Sequence, residues 1–114
     1  KVKHGSVNQY LYRASLDILK KIPLLSADAV GGVIITDWHY IQDQQEQKNI
    51  QSKVTVYIRG DVISPEVLEV VVLQRGKDGY QLQNNTELQS IAFDLENKII
   101  RKARDMYLHS KCGD

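Results

Sequence analysis

The 114 residues contain a single cysteine, Cys112, so no internal disulfide can form and cysteine usage leaves the redox compartment open. An excess of charge is missing as well. Fifteen Lys and Arg nearly balance fourteen Asp and Glu, for a net charge of +1. That composition gives no strong field for nucleic acid or an anionic membrane surface. No apolar run approaches the roughly 20 residues that cross a bilayer as a helix. Aromatics are sparse, with one Trp and one Phe beside six Tyr. Opening at Lys1 without a methionine, the sequence reads as a fragment or mature form, with any targeting segment outside it.

What is present is an ordinary globular composition, 42% apolar and 25% charged. The length fits one domain with one core, spanning residues 1–114 with an ordered core from about 6 to 109. Ser6 followed by Gln9 forms a capping-box pattern. Val7, Leu11, Ala14, Ile18 and Ile22 then recur at helical spacing with Leu19 beside them, and Pro23 disfavours helix at Ile22. This predicts a helix over about 7–22, with Asp17 one turn from Lys21. Gly31-Gly32 punctuates the chain, and residues 33–40 are rich in β-branched and aromatic types, as in a strand.

Residues 42–51 form a Gln-rich surface loop. From Lys53 to Arg59 the pattern alternates, with Val54, Val56 and Ile58 on one side and Thr55, Tyr57 and Arg59 on the other. Residues 67–75 read as a third strand, Lys77-Asp78-Gly79 as a turn, and Tyr80-Gln81-Leu82 as a short fourth strand. Asn85 or Thr86 caps a last helix whose apolar stripe is Leu88, Ile91, Leu95, Ile99, Ala103 and Met106. Residues 110–114 are a short tail. The expected fold is α+β, in the order αβββα with an optional extra strand. Its sheet is an antiparallel meander of three to four strands, with both helices packed on one face.

Such a sheet leaves its second face open. If Val33 and Ile35 point inward, then Thr36, Trp38 and Tyr40 join Tyr57 on the open face as a candidate partner-binding patch. A one-residue register slip would instead put Trp38 in the core. The last helix, at roughly 35 Å for residues 86–108, is longer than an eight-residue strand of roughly 27 Å. It is expected either to cross the sheet diagonally or to overhang it with Met106, Tyr107 and Leu108, where a partner or a second copy could dock.

Chemistry is harder to find. His4, His39 and His109 lack metal-ligand spacing and no Cys-x-x-Cys occurs, so no metal or cofactor is expected. Asp37 and His39 lie two residues apart on one strand, a spacing that would let an Asp orient a His general base in a small enzyme. No Ser or Cys nucleophile is marked by a motif. The αβββα order also occurs in double-stranded RNA-binding domains. The last helix, however, opens on neutral and acidic residues, whereas phosphate contacts need basic ones.

Several stretches carry a family resemblance: Val7-Asn8-Gln9-Tyr10-Leu11-Tyr12-Arg13-Ala14-Ser15-Leu16-Asp17, then Ser26-Ala27-Asp28 followed by Gly31-Gly32-Val33-Ile34-Ile35-Thr36-Asp37-Trp38. Lys53-Val54-Thr55-Val56-Tyr57-Ile58 and Leu95-Glu96-Asn97-Lys98-Ile99-Ile100 with Ala103-Arg104 continue it. Together they resemble the domain-of-unknown-function family 3576 over about residues 5–105. The resemblance implies a bacterial envelope protein, secreted or lipoprotein-like, in the periplasm or at the outer membrane, with no catalytic residue to carry over. Any membrane attachment would then run through an N-terminal anchor outside this sequence. A looser likeness is to the helix-grip domains of the BamC lipoprotein, which share the early helix, the Gly before a strand, the antiparallel sheet and the long last helix; it is a likeness of fold alone. The function expected is a non-catalytic interaction or accessory domain with protein partners. The enzyme and RNA readings are its alternatives.

Overall fold

The computed structural model describes residues 7–40, 50–76 and 85–112. Its elements are α1 (Gln9–Ile18), β1 (Leu24–Asp28), β2 (Val33–Thr36), β3 (His39–Tyr40), β4 (Gln51–Ile58), β5 (Leu68–Arg75) and α2 (Asn85–Cys112). A short 3-10 turn, Pro65–Val67, leads into β5. All pairings are antiparallel, and β2 and β3 share the same edge of β4. Across the sheet the order is β1, then β2 and β3, then β4, then β5. This is the expected α+β antiparallel meander, with β1 added and the single strand expected over residues 33–40 divided into β2 and β3.

The added strand is β1, whose five residues are all exposed. It carries no β-branched residue and buries neither face, so it lacks the alternation by which strands are recognised. Backbone pairing to β2, through a bulge between Leu24 and Ser26, holds it in place.

α1 is shorter than its apolar spacing predicts. Its cap is Asn8, whose side chain accepts from the Leu11 N–H at 2.9 Å. Asn8 also ties to the Gly60 carbonyl through its own N–H (2.8 Å) and to the Asp61 carbonyl through its amide (2.9 Å). One residue thus caps the helix and docks it on the turn after β4. Ser6 lies outside the described residues. The helix ends at Ile18 with Leu19 as its C-cap, before the Pro23 restriction applies.

The core forms where both helices meet the inward side of the sheet. Leu11, Ala14 and Leu19 of the first helical segment pack with Ile34, Val54, Val56, Ile58, Leu68, Val70 and Val72. α2 adds Leu88, Ala92, Ile99, Ile100 and Ala103 to the same cluster. Val54, Val56 and Ile58 therefore face the helices as their alternation predicts. Ile91 of the expected stripe is exposed, and Ala92 takes its place.

α2 has 28 residues, roughly 42 Å at helical rise. Its far end lies against α1 in antiparallel fashion. The Tyr107 ring meets Tyr10 edge-on at 5.5 Å, and the Tyr10 hydroxyl is 2.8 Å from Ser110 Oγ. Ser110 gives its own proton to the Tyr107 carbonyl, so Tyr10 is the donor. Tyr107, one of the residues that an overhang would have offered to a partner, thus packs on α1, although it and Leu108 both stay exposed. α2 also guards one sheet edge, since the Glu96 carboxylate accepts from the outward N–H of Val70 at 3.0 Å. Pairing an edge N–H in this way blunts a strand that would otherwise recruit another.

The helix pair is joined by Asp17, which lies 3.3 Å from Lys102 and 3.7 Å from Lys20; Lys21 is not its partner. The hydrogen bond from Lys102, more than any other influence, holds the Asp17 carboxyl below the usual carboxylate range. A depressed carboxyl stabilises the fold above its unfolded pKa, and that contribution is lost as pH falls through the folded value. Asp17→Asn is therefore expected to lower stability slightly at neutral pH. The difference from the parent should vanish in strong acid, as read by urea melts across the acid range.

The β1–β2 turn depends on two residues. Asp28 accepts from Val30 N–H (3.0 Å) and Gly31 N–H (2.9 Å), closing the turn on itself. Gly32 has φ +73, and a Cβ there would collide with the Ile58 carbonyl oxygen. Its carbonyl accepts from the Ile58 N–H at 2.7 Å, so this glycine locks the hairpin against β4.

Candidate functional site

The open side of the sheet is built from the residues that alternate away from the core. Gln51, Lys53, Thr55 and Tyr57 of β4 lie opposite Arg75, Leu73, Val71 and Glu69 of β5. All eight are half-buried or exposed, and among the described residues no helix lies over them.

Where residues 36–40 sit depends on a bulge. β2 pairs Ile34 with Val56, whereas β3 pairs His39 with Ser52, so Asp37 and Trp38 together oppose Lys53. One extra residue shifts the side-chain alternation. Thr36 therefore points inward with zero exposure, while Trp38 and Tyr40 point to the open side. The inward residues of β2 are Ile34 and Thr36, not Val33 and Ile35. Thr36 is thus corrected from a contact residue to a core residue. Its hydroxyl accepts from the Val54 N–H at 2.9 Å, supplying an acceptor where the ladder is interrupted.

Thr36→Val preserves the shape but removes that acceptor, leaving a buried N–H without a partner. The expected cost is about 1–3 kcal/mol by denaturant unfolding, and Thr36→Ser should recover much of it.

Two further bonds hold the bulge. The Asp37 N–H donates to the Pro23 carbonyl at 2.9 Å, and the Asp37 carboxylate accepts from the Trp38 N–H at 2.8 Å. The His39 ring bonds the main-chain carbonyl of Asp37 at 3.3 Å, so Nδ1 donates there. No hydrogen bond joins the two side chains. The carboxylate that would orient a His base is engaged in fixing the backbone instead.

Trp38 is half-buried beneath cations. The Arg75 guanidinium carbon lies 4.2 Å from its ring centre, and Lys53 Nζ lies 5.7 Å away. Arg75 Nε donates to Gln51 Oε1 at 2.8 Å, from the residue directly across the strand pair. At the other end of the face, Arg59 lies 4.8 Å from the Tyr57 ring centre and grips Glu69 at 2.7 Å. Tyr40 is 61% exposed, so most of its ring can meet a partner. The aromatic residues were legible as candidates; the basic residues stacked on them were not, because the cross-strand register that brings them together is tertiary.

A groove between the ends of α1 and α2 is lined by Arg13, Lys102, Asp105, Met106, His109 and Ser110. Its polar groups are largely committed. Lys102 pairs with Asp17, and His109 Nδ1 donates to the Asp105 carbonyl at 2.8 Å. Among the described residues no three His, Cys, Asp or Glu side chains gather as a metal site, and no helix is long and apolar enough to cross a membrane.

Comparison with known proteins gives a family. Residues 5–108 match the family described as "Domain of unknown function (DUF3576)", and the chain belongs to it. An uncharacterized protein of Rickettsia prowazekii (strain Madrid E) is 41% identical over 105 residues, covering 92% of this chain. The match takes in 61% of the Rickettsia protein's own length, so the chain spans less than two thirds of that relative. The likeness to BamC gains no support from these matches.

Proposed function

We propose that this member of the DUF3576 family is a non-catalytic accessory domain of a bacterial cell-envelope protein, and that the sheet face opposite the helices receives a protein partner. The observation that carries the reading is the Asp37-Trp38 bulge. It costs a ladder position, needs the buried Thr36 hydroxyl to repair that loss, and turns Trp38 and Tyr40 outward. Bulges of this kind re-aim side chains at working surfaces. A large aromatic on an open sheet is an interface anchor. The bacterial setting is supported by the Rickettsia relative. The envelope setting rests on the family resemblance, and attachment there would run through a segment outside these residues.

The enzyme reading loses its main support, because the Asp37 carboxylate and His39 ring each bond elsewhere. The RNA reading rested on the αβββα order of double-stranded RNA-binding domains, and the added β1 and the division of residues 33–40 into β2 and β3 depart from that order.

A cross-linked pull-down of the full-length protein from fractionated cells tests the setting. Recovery from the envelope fraction with periplasmic or outer-membrane proteins is the expected result. Recovery from cytosol without envelope partners would overturn it.

A further inference from the structure

We propose that Arg75, held by Trp38 and Gln51, is a carboxylate receptor, and that the partner presents an acidic, extended segment to the β3–β4–β5 end of the open face. This deepens the preceding reading and rests on it.

Two arginines on the same surface are built alike up to a point. Arg59 stacks on Tyr57 at 4.8 Å and holds the Glu69 carboxylate at 2.7 Å. That is a complete unit of aromatic ring, guanidinium and carboxylate. Arg75 repeats the first two parts, with a closer stack of 4.2 Å on Trp38. Its Nε is fixed by Gln51 at 2.8 Å, and no described residue bonds the two Nη groups, which form a pre-oriented fork. No carboxylate among the described residues supplies the third part. Lys53, beside the same ring, has no acidic partner among them either.

Two cations are thus gathered on one half-buried Trp with no carboxylate among the described residues to neutralise them. Like charges brought together this way repel, so the arrangement is stabilised by an external anion. A planar fork matches a carboxylate through two parallel bonds, and partial burial strengthens charge-assisted hydrogen bonds. The surface is a sheet face, so an extended acidic segment fits it better than a small enclosed ligand does.

The test titrates the full-length protein with hexaglutamate, hexaglutamine, inorganic phosphate and an oligouridylate. The readout is the indole N–H signal of Trp38, assigned by its loss in Trp38→Phe. Hexaglutamate is expected to shift that signal, more weakly as salt rises, while hexaglutamine leaves it unmoved. Arg75→Lys keeps the charge and loses the fork, and is expected to weaken the response about tenfold; Arg75→Gln is expected to abolish it. Circular dichroism of each variant separates loss of binding from loss of fold. A full response in Arg75→Lys would overturn the receptor geometry. A response to phosphate or RNA without one to hexaglutamate would overturn the acidic segment. If hexaglutamate fails while a photo-cross-linker at Tyr40 still captures an envelope partner, this inference falls and the partner-binding face stands. If both fail, both fall.

Discussion

Trp38→Ala is expected to weaken partner capture by about thirty-fold or more while lowering stability by only about 1 kcal/mol. The binding figure follows from truncating an aromatic anchor at an interface, where hot-spot losses reach about 2 kcal/mol and above. The stability figure follows from position. Trp38 lies on the open face, where its loss removes a cation–π stack worth about 0.5–1 kcal/mol and some contact with the stems of Lys53 and Arg75. A core Trp replaced by Ala would cost about 3–5 kcal/mol. The two sites therefore separate in a thermal melt: a shift of a few degrees marks the open face, and collapse of the transition marks the core. Capture and melting must be measured on the same variant, because neither alone distinguishes an anchor from a packing residue.

Gly32→Ala is expected to destabilise the fold by about 2–4 kcal/mol, with no direct effect on the contact face. Two costs combine. The backbone at φ +73 suits glycine, and an L side chain there carries strain of about 1–2 kcal/mol. A Cβ would also press on the Ile58 carbonyl and on Val7, neither of which is the free end of a long side chain. Relief requires moving the β1–β2 turn away from β4 and losing the Ile58 N–H bond to the Gly32 carbonyl. Urea unfolding would read the cost directly. An equal loss in Gly31→Ala would be a different effect, since a Cβ at Gly31 meets the Asp28 carboxylate, a side chain that can turn aside.

Much of the fold was legible because its signals are local. Val54, Val56 and Ile58 alternate with polar neighbours, and they face the core. Leu68, Val70 and Val72 do the same one strand later. The helical stripe of α2 placed Leu88, Ile99 and Ala103 correctly. β1 was missed because an edge strand exposed on both faces has no hydrophobic period to read. α1 was overextended because Ile22 keeps helical spacing while lying in the turn that feeds β1. Asn85 and Thr86, expected as caps of the last helix, are instead its first two residues. Tyr80-Gln81-Leu82 and the Gln-rich stretch up to residue 49 fall outside the described residues.

The candidate site was half legible, and the division is instructive. Trp38, Tyr40 and Tyr57 stand out by type in a chain with few aromatics. Assigning them a common face with Thr36 assumed unbroken alternation through residues 33–40. The Asp37-Trp38 bulge breaks it, and nothing in those two residue types announces a bulge. Its cause is pairing with a distant strand and a side-chain acceptor eighteen residues from its donor. Thr36, a β-branched polar residue flanked by Ile35 and Asp37, gives no hint of a buried hydroxyl. Likewise, Arg75 reaches Trp38 only through the β4–β5 register.

The most direct test of the open-face account is site-specific photo-cross-linking in living cells. A photoreactive residue replaces Tyr40 on the open face or, in parallel, Asn97 on the exposed surface of α2. One discrete envelope partner is expected at Tyr40, lost in the Trp38→Ala background, and none at Asn97. A discrete partner at Asn97 with nothing at Tyr40 would contradict it and move the working surface to the helices.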